Sequence, residues 1–150
     1  MNTEKTIDVL NTLITINNDR IEGYETASKE TEDQALKTLF AQFSSTSQKC
    51  NHELKNEVSK LGGTSAEGTK ASGKFFRVWM DVKAALTGKD NKAILNSCEY
   101  GEDVAKETYA KALENHAENL SAEQQTMIKA QHTLLVADHD KVKSMILSSL

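Results

Sequence analysis

The chain has 150 residues, enough for one domain to bury a sizeable core. It contains no proline, which suits a few long helices, because proline breaks a helix interior at a cost of about 3 kcal/mol or more. A net charge of -4, with Arg20 and Arg77 the only arginines, leaves no basic stripe for nucleic acid, and no stretch approaches the roughly 20 apolar residues of a membrane span.

A first helix is expected over residues 3–28. Ile7, Leu10, Ile14, Ile21 and Tyr24 recur at spacings of three and four, which marks one buried stripe, and Asn17 falls on it. The opening MNTEKTIDVL has neither a cationic start nor an uninterrupted apolar run, so it is not read as a signal peptide. A short acidic joint leads to a second helix over residues 33–61. Its inward stripe is Leu36, Phe40, Phe43, Ser47, Cys50, Leu54, Val58 and Leu61, and Gly62-Gly63 stops it.

Residues 62–73 form a loop rich in glycine, serine and threonine. Residues 74–86 then read as a short amphipathic helix. Phe75, Trp79, Val82 and Leu86 close over the bundle, while Phe76 and Met80 point to a second side and are the candidate subunit interface.

A third helix is expected over residues 90–116, with Leu95, Cys98, Glu102, Ala105, Tyr109, Ala112 and His116 on its stripe. Ser121 followed by Gln124 is a capping-box signature that opens a fourth helix over residues 122–147. Its inward positions are Ile128, Gln131, Leu135, either Asp138 or His139, Val142, and either Met145 or Ile146. The short joints make each pair an antiparallel hairpin. Two hairpins joined by one long crossover give an all-α, ferritin-like four-helix bundle with a short fifth helix in the crossover, spanning residues 1–150 as one domain.

The two halves echo each other. Asn17, six residues, Tyr24, two residues, Ala27 matches Glu102, six residues, Tyr109, two residues, Ala112. The second form resembles the first and third helices of bacterioferritins and rubrerythrins. A closer resemblance rests on Trp79, Val82-Lys83, Ala85 to Gly88, Ile94-Leu95, Cys98-Glu99, Gly101 to Asp103, Tyr109 and Ala112-Leu113. These residues are similar to those of bacterial ferritin-like four-helix-bundle proteins of unknown function. The first resemblance implies a di-iron centre in which Glu102 is the ligand of the third helix, and two Glu-x-x-His motifs complete it.

Matched residue by residue, that pattern is degenerate. Asn17 stands at the position of the first-helix glutamate. Ser47 and Cys50 stand at the Glu-x-x-His positions of the second helix, and His52 points away. The fourth helix offers Leu135 with Asp138, or Val136 with His139. At helical spacing Glu22, Glu25 and Glu99 face solvent.

No catalytic residue is therefore assigned and no metal or other cofactor is favoured. Glu102 is expected in a residual polar core with Asn17, Tyr24, Tyr109, Gln131, Asp138 and His139, which could fix helix register. If a metal is held at all, iron or zinc at Glu102, Asp138 and His139 is the site. Cys50 and Cys98 read as small core residues, reduced in a cytoplasmic protein. Thiol chemistry at Cys98 ranks last, because Glu102 one turn away would raise its pKa. His116 reads as a helix C-terminal dipole contact.

The expected function is that of a non-catalytic bundle protein acting through helix surfaces and self-association, with no nucleic-acid or membrane partner. The ferritin-like resemblance adds a stress association. The alternative is a metal-dependent oxidase or iron-handling protein with a reduced site around Glu102.

Overall fold

The computed structural model describes residues 3–66 and 91–148. Among them the secondary structure is entirely helical: α1 (Thr3–Glu30), α2 (Gln34–Lys60), α3 (Asn91–Asn115), a 3₁₀ turn (Ala117–Asn119) and α4 (Ala122–Ser148). The short helix expected at residues 74–86, with Trp79, Phe76 and Met80, lies outside the described residues.

Local chemistry sets the helix ends. Asp33 caps α2: its Oδ1 accepts from the Ala35 and Leu36 amides at 2.9 and 3.2 Å. Gly62, at φ 77°, closes α2, and the Gly62 and Gly63 amides donate to Ser59 and Val58. The capping box before α4 is formed in both directions. Ser121 Oγ accepts from the Gln124 amide at 3.1 Å, and Gln124 Oε1 accepts from the Ser121 amide at 2.9 Å. The start of α1 is tied to the 3₁₀ turn by a hydrogen bond from Thr6 Oγ1 to the Asn119 carbonyl.

α1 packs along α2 and α3 along α4, while α1 also meets α3 and α2 meets α4. Two apolar regions fill the interior. One contains Leu10, Leu13, Ile14, Leu54, Val58, Tyr109, Ile128 and Leu135. The other contains Tyr24, Leu36, Phe40, Phe43, Leu95, Cys98 and Val142.

Several inward positions differ from the expectation, Ile7 and Leu61 among them, being only partly buried. Ile21 is only partly buried, and its neighbour Arg20 takes the inward place. His116, expected on the inner stripe of α3, is exposed because the helix ends at Asn115 and the chain turns there. Asp138 and His139, between which the periodicity left a choice, are both buried. Consecutive helical residues diverge by about 100°, so they enter different sectors.

Candidate functional site

The polar centre of the bundle is built on a cation. Arg20, on α1, is fully buried, and its guanidinium reaches the three other helices. Nε and Nη2 donate to Glu102 Oε1 on α3 at 3.1 and 2.8 Å. Nη2 also donates to Asp138 Oδ2 on α4 at 3.1 Å, and Nη1 donates to Ser47 Oγ on α2 at 2.5 Å. Tyr24, one turn along α1, donates its hydroxyl to the same Glu102 Oε1 at 2.5 Å. The guanidinium lies 5.5 Å from the Tyr24 ring centroid and 6.0 Å from that of Phe43, so aromatic faces complete its surroundings.

Electrostatics explains why a charge survives there. Burial alone would lower the Arg20 pKa. The negative charges of Glu102 and Asp138 outweigh that, and the net shift is upward. Asp138 moves against its partner: burial raises its pKa, Arg20 lowers it, Glu102 raises it again, and the net direction is up. The two signs agree once the charges are counted. One guanidinium serves two carboxylates, and the second carboxylate is the less well compensated. Three donors converge on Glu102 Oε1, while Oε2 is buried with no hydrogen-bond partner among the described residues.

A second polar layer lies beside the first. Asn17 Nδ2 on α1 donates to Tyr109 Oη on α3 at 2.8 Å. Tyr109 donates onward to Gln131 Oε1 on α4 at 2.7 Å, and Gln131 Nε2 reaches the Cys50 carbonyl on α2 at 3.3 Å. Each layer therefore joins all four helices. The internal echo in the sequence takes a physical form here. The tyrosine of each half bonds the polar residue of the other: Tyr24 to Glu102, and Tyr109 to Asn17.

Of the expected polar cluster, Asn17, Tyr24, Glu102, Tyr109, Gln131 and Asp138 lie in these two layers. His139 does not, and this corrects the grouping. Its Nε2 is 2.7 Å from Asp103 Oδ1 on α3, and the Asp103 side chain is about half exposed. The metal set expected from sequence, Glu102 with Asp138 and His139, is thus divided between two places. Arg20 is the residue the sequence reading missed. It stands three positions after Asn17 and four before Tyr24, on the same stripe, and two inward carboxylates call for a cation.

A di-iron centre takes about four carboxylates and two imidazoles converging on one spot. Around Arg20 the core presents two carboxylates, Glu102 and Asp138, with Asn17, Ser47, Cys50 and Gln131 as neutral residues of the same two layers, and a guanidinium already between the acids. This donor set does not fit a di-iron centre. Both cysteines are free and buried. Burial, and next the charge of Glu102, push Cys98 far up, and burial pushes Cys50 up to about 11, so neither is a thiolate near neutrality. An open groove of about 510 Å³ beside α1 and α3 mixes Lys5, Lys111 and His116 with Asp8 and Glu118, and so has no single charge preference.

His132 gives the bundle a pH response. Its ring stacks on Tyr109 with centroids 6.5 Å apart, and its Nε2 is buried without a hydrogen-bond partner. Burial, and then nearby Lys106, lower its pKa from the ordinary 6.5. Below that value the unfolded chain binds a proton that the native chain does not, so stability falls as pH falls through this window. His132→Phe is expected to remove that slope. Urea midpoints for both proteins between pH 7.5 and the acid side of 6.5 measure it.

The fold and site together define an all-helical domain pinned at its centre by a buried ionic layer. The chain belongs to the family described as a domain of unknown function, DUF2383, whose model matches residues 5–115. The matched span contains Asn17, Arg20, Tyr24, Glu102 and Tyr109, whereas Gln131, Asp138 and His139 lie beyond it. No curated protein matches the chain.

Proposed function

We propose that this protein is a non-catalytic, ferritin-like bundle that works as a structural or interaction module, with the guanidinium of Arg20 standing where such bundles carry metal. The observation that carries the reading is the pair of contacts from Arg20 Nη2 to Glu102 Oε1 at 2.8 Å and to Asp138 Oδ2 at 3.1 Å, with the arginine and glutamate side chains fully buried. A cation fixed covalently to α1 is already paired with the acids that a metal would need. It also holds no open coordination position at which a substrate could react.

Action through surfaces follows from what remains. Among the described residues the one large exposed hydrophobic side chain is Leu147, so the described faces offer no broad apolar patch. Self-association, part of this proposal, therefore rests on the amphipathic sequence containing Phe76 and Met80.

Two measurements test the reading. Purified protein is expected to lack a two-iron complement, to leave the rate of Fe(II) oxidation unchanged, and to keep the same metal content after Glu102→Gln. Two irons per chain that disappear with Glu102→Gln would refute it. Light scattering on Phe76→Ser/Met80→Ser is expected to show a smaller species than the unaltered protein.

A further inference from the structure

The flank of α3 and α4 carries a different donor set. Glu99 and Asp103 stand four residues apart on α3, one turn and one face. His139 comes across from α4. One ligand atom from each lies within 4.8 Å of the other two. The geometry points to a single-ion site here for a first-row divalent cation of borderline softness, zinc(II) being the type, held by Glu99, Asp103 and His139.

Ligand chemistry selects that class. One imidazole nitrogen and two carboxylate oxygens suit zinc or a similar transition ion, whereas calcium takes six to eight oxygens. Bonds of about 2.0–2.2 Å place tetrahedral ligands roughly 3.4 Å apart. The His139 Nε2 to Asp103 Oδ1 distance of 2.7 Å must therefore open, and the wider separations, up to 4.8 Å, must close. Both are movements of about an ångström or so. The Asp103 side chain, 52% exposed, and the partly buried Glu99 have room for them, while the His139 side chain, 9% exposed, is the fixed point.

Two features distinguish this cluster from ordinary surface acids. Behind the imidazole, Asp140 Oδ1 lies 3.3 Å from His139 Nδ1. A carboxylate in that place holds the proton on Nδ1 and leaves the Nε2 lone pair for a metal, as in carboxylate–histidine–zinc arrangements. Glu99, although partly buried, makes no hydrogen bond or ion pair among the described residues. Three carboxylates thus surround one imidazole. A dication between Nε2 and the two α3 acids, taking the place of a proton on Nε2, offsets one more negative charge than that proton does. Water fills the remaining coordination positions on the open side, so the ion is exchangeable.

The site is independent of the Arg20 centre, and its test separates the two. Chelator-treated full-length protein is titrated with zinc chloride by calorimetry at neutral pH. One equivalent is expected to bind, and to shift the ring signals of His139 ahead of those of the other histidines. Glu99→Gln and Asp103→Asn are each expected to weaken binding by at least about tenfold, and the double variant to abolish it. Asp140→Asn, which acts only behind the imidazole, is expected to cost about tenfold. Helical content checks that these variants, at exposed or partly buried positions, remain folded. Glu102→Gln is expected to leave zinc affinity unchanged. The site is overturned if no saturable equivalent binds, or if the folded double variant binds zinc as well as the unaltered protein does.

Discussion

Arg20→Met, with Glu102 and Asp138 left in place, is expected to destabilise the protein by about 3–5 kcal/mol, the usual loss when one partner of a buried ion pair is removed. The cost is not the value of the contacts themselves. It arises because two acids in the middle of four helices lose the charge that permits them to be ionised there. For a chain of this length such a loss lowers the melting temperature by roughly 6–20 °C. It is also a large part of the roughly 5–15 kcal/mol that holds a typical domain together. The pH dependence gives a second signature. Without the guanidinium, burial and the charge of Glu102 raise the pKa of Asp138 unopposed, so the native variant binds more protons than its unfolded chain. Its stability then falls as pH rises above the carboxylate range, which is the opposite of the His132 response. Arg20→Lys is expected to restore only part of the loss. An ammonium is a point charge, and one planar fork here serves Glu102, Asp138 and Ser47 together. Thermal melts at two pH values distinguish these outcomes. An Arg20→Met protein as stable as the parent at neutral pH would show that the carboxylates are not buried as ions.

The helices were legible because their signals are local. Apolar residues at spacings of three and four place Phe40, Phe43, Leu54 and Val58 inside, and Asp33, Gly62 and the Ser121–Gln124 pair mark ends through bonds made within a few residues. The polar centre was legible only in part, for a physical reason. A stripe drawn by hydrophobicity selects Ile21 and passes over Arg20, because a lone arginine belongs outside on transfer energy alone. What brings Arg20 in is the charge of Glu102 and Asp138, which lie 82 and 118 residues away in the chain. Periodicity likewise cannot choose between Asp138 and His139, since a step of 100° leaves both within a broad inner arc. The partners decide: Arg20 draws Asp138 inward and Asp103 holds His139 at the flank. The repeated polar-x6-Tyr spacing was visible from the start. That each tyrosine bonds the opposite half became visible only when α1 and α3 were placed side by side.

The second large effect runs in the opposite direction. Replacing the whole ionic layer by apolar residues, Arg20→Met with Glu102→Leu and Asp138→Leu, is expected to recover the 3–5 kcal/mol lost by Arg20→Met alone, and to end anywhere from about neutral to 1–4 kcal/mol more stable than the parent. Tyr24→Phe and Ser47→Ala go with it, so that neither hydroxyl loses its charged partner against an apolar wall. The gain is expected because desolvating one cation and two anions costs more than their mutual attraction returns, whereas packed hydrocarbon has no such penalty. If the layer exists to fix register, its removal is felt elsewhere. The Asn17–Tyr109–Gln131 layer then stands alone as the cross-link among all four helices. Amide exchange around Tyr109 should quicken even as the melting temperature rises, because alternative helix alignments become accessible. A stable variant with unchanged exchange would assign the register to the second layer. A variant as unstable as Arg20→Met would mean that hydrocarbon cannot fill this space, and that the ions hold the helices at a distance no apolar set reproduces.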